Sequence, residues 1–171
     1  MALIDQTYFV YDISLPAGNY SDIPGWISRL EPEIIRALLG DELGQLVIDY
    51  DESSSEQRIK DIVEGATFEY DEKTLKWDGL KNENKKSLLA YRVYVQYLRY
   101  NITTTTATGE RKAKNENSNA ADQSFKLWRA QQKFNAEAAT LLLFINANIE
   151  SYPEFVEPET IPGDGLNAFD L

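Results

Sequence analysis

Apolar positions recur along this chain at two spacings, and the changes from one to the other divide it into elements. From Trp26 to Gly40, WISRLEPEIIRALLG sets Trp26, Ile27, Leu30, Ile34, Leu38 and Leu39 on a helical repeat. Pro32 suits a first helical turn and Gly40 a stop, so the pattern predicts a short helix to Leu30 and a second over Pro32–Leu39. DELGQLVIDY continues as another helix through Leu43, Leu46, Val47 and Tyr50. In SSSEQRIKDIVEG, Ser53 precedes Glu56 by three residues, the spacing of a capping box; Ile59, Ile62 and Val63 form the apolar side and Gly65 the stop. The period then drops to two. ATFEYDEKTLKWDGL alternates about a DEKT turn, with Phe68 and Tyr70 before it and Leu75 and Trp77 after it, which predicts a β-hairpin; Asp78-Gly79 turns the chain into the next helix.

Two long helices follow. Over 84–102, Leu88, Tyr91, Val95, Leu98 and Ile102 recur at three- and four-residue steps, Lys85, Arg92, Gln96 and Arg99 line a polar face, and Tyr94, Tyr97 and Tyr100 widen the aromatic side. From Asn119 to Ser151 the stripe is Leu127, Ala130, Phe134, Ala138, Leu141, Ile145 and Asn148, opposite Lys126, Arg129, Lys133 and Glu137. That polar face ends near Thr140, and TLLLFI is apolar nearly all round, so it calls for burial in the core or against another chain. Tyr8 to Leu15 is rich in β-branched and aromatic residues and stops at Pro16, which predicts an extended edge strand or arm. The closing YPEFVEPETIPGDGLNAFDL, with three prolines and two glycines, predicts no regular structure and reads as a docking tail.

Between the long helices lies NITTTTATGERKAKNENSN, which fits neither. Consecutive threonines are poor helix formers because branching at Cβ restricts χ1. The pattern predicts a strand-like arm over Thr103–Thr108, turned by Gly109, whose backbone groups can pair with a partner's strand. Its alternative is a surface loop.

The whole is a mainly α domain: a bundle of four to five helices with one small β-hairpin, an extended arm between the long helices and an irregular C-terminal tail. We assign 1–150 to the helical domain, including an extended N-terminal segment 1–23 and the arm 103–114, and 151–171 to the tail.

Composition narrows the chemistry. A chain of 171 residues suits one domain able to bury a core. It contains no cysteine and no histidine, which removes disulfides, thiolate nucleophiles, His-dependent triads and the usual zinc and iron sites. No secretory leader pattern and no apolar run of membrane-spanning length is present, so the sequence reads as soluble and intracellular. The net charge of −11 opposes nonspecific nucleic-acid binding, yet the charge is segregated: 13 acidic and 3 basic residues over 31–72, 6 and 13 over 73–149, 6 and none over 150–171. Such blocks suit solvated faces, and equally subunits stacked against complementary neighbours.

The candidate reactive motifs fail individually. DYDESSSEQRIK resembles a calcium loop at Asp49, Asp51 and Ser53, but Ser54 stands where the turn glycine belongs and Lys60 where the bidentate glutamate belongs. Asp41/Glu42 is one of many acidic pairs in a chain with 28 acidic residues. PGDGL lacks the lysine of a phosphate loop. Trp77 and Trp128 read as packing residues, and Trp26, beside Pro24-Gly25, as the interface anchor.

The order of features resembles a family: LLG at Leu38 to Gly40, a capped helix before an FEY strand, WDGL at Trp77 to Leu80, SLLAY at Ser87 to Tyr91, and TGERKAKNENS at Thr108 to Ser118. It is similar to the head–tail adaptor, or connector, proteins of tailed bacteriophages, in particular a type common in phages of Bacteroidetes. The resemblance implies a non-enzymatic subunit of the virion neck, without cofactor, metal or membrane. Its partners would be further copies in a ring, often of twelve, the portal protein and the next tail or neck component, with nonspecific contact to DNA in the channel. Interface residues on this reading are Trp26, Thr103, Thr104, Thr105, Thr106, Arg111, Lys112 and Lys114, and in the tail Phe155, Val156, Ile161 and Phe169. The rival readings are an acidic soluble inhibitor or interaction protein and a carboxylate- or metal-dependent hydrolase.

Overall fold

A computed structural model describes residues 2–15, 22–106, 109–112 and 120–160, and for 101–106, 109–112 and 120–123 the backbone alone. The described chain is mainly α. Its helices are α1 (Ile23–Leu39), α2 (Asp41–Ile48), α3 (Gln57–Glu64), α4 (Leu88–Ile102) and α5 (Ala120–Ala147). Two antiparallel hairpins join them, β1–β2 (Ala66–Tyr70 and Lys73–Trp77) and β3–β4 (Thr103–Thr106 and Gly109–Lys112).

The N-terminal segment is not the extended arm that its composition predicts. It forms two single 3₁₀ turns, Gln6–Tyr8 and Tyr11–Ile13. The Asp5 carboxylate accepts the Thr7 N–H at 2.7 Å and starts the first. Tyr8 and Phe9 are both buried, which a one-sided strand cannot do with adjacent residues. Upstream, the chain is tied down by Glu31, whose carboxylate accepts the Leu3 N–H at 2.8 Å and the Ile4 N–H at 3.2 Å. Burial raises the Glu31 pKa, and those two hydrogen bonds oppose the rise.

Helix α1 runs unbroken through Pro32, where two helices are expected. The proline removes a hydrogen bond to Ser28, which sits on the exposed side where water can take its place, while Ile27, Leu30, Ile34, Ile35 and Leu38 stay buried across it. Gly40, at φ +80°, then folds the chain back. Helix α2 packs so closely on α1 that a Cβ on Gly44 would lie 3.1 Å from the Arg36 Cα.

Ser53 does not cap α3. The Asp51 carboxylate holds the Ser53 and Ser54 N–H groups at 2.9 and 3.1 Å in a local turn, and the helix opens at Gln57 without a side-chain cap. The β1–β2 hairpin forms as expected, with Tyr70 opposite Lys73. Its two turn residues, Asp71 and Glu72, both have positive φ, as a two-residue hairpin turn requires. Trp77 is fully buried and donates its indole N–H to the Ile62 carbonyl at 2.8 Å. The backbone of Gly79 passes against that of Gly65, where a Cβ on either would fall 2.5 Å from main-chain atoms.

Helix α4 begins at Leu88, four residues later than its sequence pattern, because Asn82 closes the preceding loop. The Asn82 side chain accepts the Lys86 N–H at 3.1 Å and donates to the Lys86 carbonyl, and Lys85 adopts φ +56°. Ser87 then offers its hydroxyl to the Leu89 N–H at 3.3 Å. Helices α4 and α5 are antiparallel neighbours, and Arg92 crosses between them to Gln131 at 3.1 Å and over the Phe134 ring. Helix α5, 28 residues long, spans about 42 Å and reaches beyond α4 to the β1–β2 hairpin, where Phe144 meets Phe68 at 5.4 Å. In TLLLFI, Leu141, Phe144 and Ile145 are buried, whereas Leu142 and Leu143 are half-buried. The chain's own core covers one side of that segment.

Candidate functional site

The threonine segment and its basic continuation form a hairpin at the junction of the two long helices. Thr103 pairs with Lys112, Thr104 with Arg111, Thr105 with Glu110 and Thr106 with Gly109. The expected arm is therefore a self-paired ribbon. Thr103–Thr106 satisfies one edge of its backbone within the chain, and Gly109 opens the return strand instead of turning an isolated one. Ile102 leads directly from α4 into Thr103, so the ribbon starts where α4 ends. β-branched residues fit a pleated ribbon, which accounts for the helix stopping where the threonines begin.

Aromatic side chains gather at the same end. Trp26, in the first turn of α1, lies edge-on to Tyr97 at 6.2 Å and Tyr100 at 5.2 Å, and the Arg29 guanidinium stacks 4.4 Å from its ring centre. Trp26 is half-buried and Tyr100 is 67% exposed, and with Asp22, Gly25 and Arg29 they line a shallow recess. On α5, Phe125 and Trp128 stack at 6.0 Å and are 56% and 48% exposed. Trp128 is thus not the packing residue its sequence suggests; Leu127 and Ala130 take the buried stripe and leave it outside. The helical period alone does not mark Phe125 as an exposed anchor. Its signal was there, in an aromatic pair three residues apart and off the Leu127–Ala130–Phe134 stripe. Asp12 reaches Arg129 at 3.5 Å and brings the second 3₁₀ turn against this part of α5.

The tail divides. Through Thr160 it has no regular structure past Ser151, as expected, and its first residues dock on their own chain. Tyr152 is buried, lies edge-on to Phe144 at 6.0 Å and donates its hydroxyl to the Arg58 carbonyl at 3.0 Å. Arg58 grips Glu154 with two hydrogen bonds, at 2.7 and 2.9 Å, and takes the Ser151 carbonyl at 3.2 Å. That grip lowers the Glu154 pKa. Phe155 is half-buried on the same core and Val156 is 65% exposed beside Gly40. Lys114, Ile161 and Phe169 lie outside the described residues, and for Thr103, Thr104, Thr105, Thr106, Arg111 and Lys112 the structure gives the backbone positions just stated.

The remaining polar groove, between Tyr8, Glu64, Lys76, Asp78 and Lys81, mixes both signs of charge. Its closest ion pair is Lys76–Asp78 at 2.6 Å, on the surface. Among the described residues no three acidic side chains are grouped to hold a metal ion, and no helix is long and apolar enough to cross a membrane.

No curated protein and no solved structure matches this chain. One family does, over residues 35–164, a span that takes in α2 to α5, both hairpins and the docked start of the tail. The chain belongs to that family, which is described as a family of unknown function, DUF6712.

Proposed function

We propose that the chain is a structural subunit of the neck of a tailed phage, one of a ring of copies that joins the portal to the tail and extends the DNA channel. The observation that carries this reading is the end of the long helix pair. A threonine ribbon follows α4 there, and Tyr100 near the end of α4 and Phe125 and Trp128 near the start of α5 are exposed, with Trp26 half-buried against Tyr100. A two-stranded ribbon gains from neighbours on its outer edges, and exposed aromatics at one end of a bundle are suited to a protein partner. The resemblance in LLG, WDGL, SLLAY and the TGERKAKNENS segment supports the same assignment.

The test is to incubate the purified chain with the portal ring of the phage that encodes it. A neck subunit joins the portal as a closed ring of copies. A one-to-one complex with some other protein would support the inhibitor reading instead.

A further inference from the structure

Two surfaces of this molecule carry opposite charge and matching apolar features, and they lie apart. The first is the outer face of α5, where stacked Phe125 and Trp128 stand out beside Arg129 and Lys133, all exposed. Arg129 is held by Asp12 of its own chain at 3.5 Å, whereas Lys133 has no ion-pair partner among the described residues. The second lies on α2 and the tail, beyond the Gly40 turn. There an open recess of 640 Å³ is lined by Arg36, Asp41, Glu42, Gln45, Leu46 and Glu154. Leu46 is 40% exposed on its floor, and Val156, 65% exposed, lies alongside against Gly40. Arg36 is engaged by Gln45 at 2.8 Å and Glu154 by Arg58, which leaves Asp41 and Glu42 at the rim with no ion-pair partner among the described residues.

The length of α1 measures how far apart the two surfaces lie. Trp26 in its first turn meets Tyr100 at the aromatic end, whereas Arg36 in its last turn borders the recess; ten residues of helix, about 15 Å, lie between them. One molecule cannot close these surfaces on each other. Two surfaces that differ and lie apart on one chain make a head-to-tail contact, and a head-to-tail contact that closes makes a ring.

We propose that Phe125 and Trp128 of one copy seat on Leu46 and Val156 of the next, with Lys133 facing Asp41 and Glu42. This rests on the ring reading above and assigns its copy-to-copy contact. A stacked aromatic pair is a suitable anchor, since large rigid side chains bury much area at small entropic cost. The charges fix which face meets which.

Two blocked variants test it, alone and beside the portal ring, by sedimentation. F125A/W128A loses the anchor and keeps the recess; Leu46→Arg spoils the recess and keeps the anchor. All three sites are surface positions, and helix content by circular dichroism should match the parent chain. Each variant should self-associate about 30-fold or more weakly than the parent, the loss expected of a central aromatic anchor. Mixed together, they should form a dimer and nothing larger, because only one competent pair of faces remains. Charge exchange gives a second handle: Lys133→Glu should weaken association and Glu42→Lys in the same chain should restore it. If the parent forms rings and F125A/W128A forms them equally well, the contact is wrong and the ring reading stands. If the parent stays monomeric both alone and beside the portal, both fall.

Discussion

Gly79 and Gly65 show what single residues impose here. Both have φ near +90°, and each backbone passes so close to the other that a methyl group would sit 2.5 Å from main-chain atoms. They hold the crossing at which α3, the β1–β2 hairpin and the approach to α4 meet, with Lys81 N–H bound to the Val63 carbonyl at 2.7 Å beside them. Gly79→Ala should therefore cost roughly 1–3 kcal/mol or more, combining an unfavourable backbone angle with a clash against an atom that cannot move aside. Urea unfolding measures it; a variant as stable as the parent would mean that the crossing relaxes easily. Glu154 is the second such residue. Its pKa is lowered below the ordinary 4.5 by the hydrogen bonds from Arg58, so the folded state favours its charged form. A depressed carboxylate contributes stability above its unfolded value, and that contribution is lost as pH falls through the lower folded value. Hydrogen exchange at the Phe155 amide, bound to the Tyr152 carbonyl at 3.0 Å, should accelerate below pH 4.5 beyond the intrinsic rate. Glu154→Gln should show the faster exchange at neutral pH and lose the extra acid response.

Among the elements, the long helices, the β1–β2 hairpin and the reversal at Gly40 were readable from period and punctuation alone. The departures have physical causes that sequence patterns do not carry. Pro32 reads as a boundary, yet burial on both sides of it and an exposed Ser28 four residues before it let α1 run through. Tyr8 to Leu15 reads as a strand by composition, but the turn that Asp5 starts at Gln6 and the paired burial of Tyr8 and Phe9 take it out of an extended form. Ser53 reads as a cap until Asp51, two residues away, takes its N–H. At the candidate site, the extended nature of the threonine segment was legible and its partner was not, because pairing is a tertiary choice that β-propensity leaves open. Exposure of Trp128 was equally invisible to the count of aromatics. The ribbon itself makes a separable prediction. Replacing Thr103–Lys112 by a short flexible link should leave the circular dichroism of the helices intact, since the α1, α4 and α5 packing lies below it, and should abolish ring incorporation. If the shortened chain enters rings normally, the ribbon serves only to connect α4 to α5.

As a whole, the molecule combines a firmly tied interior with ends offered to others. Glu31, Trp77, Tyr152 and the Arg58–Glu154 pair close the N-terminal segment, the hairpin and the start of the tail onto one core. Exposed apolar side chains include Tyr100, Phe125 and Trp128 at the ribbon end and Leu46 and Val156 near the Gly40 turn. Segregated charge follows the same division, basic along α4 and α5 and acidic over α2, α3 and the tail. A chain of this kind suits repetition around an axis, and that is the claim to test first. The decisive measurement is the mass found when the 19.5 kDa chain is mixed with the portal ring of the phage proposed to encode it, read by light scattering together with the symmetry seen in projection images. A neck subunit gives a single closed assembly whose added mass is a whole-number multiple of the subunit and whose symmetry follows the portal. A chain that remains a free monomer beside an unchanged portal ring would contradict that claim.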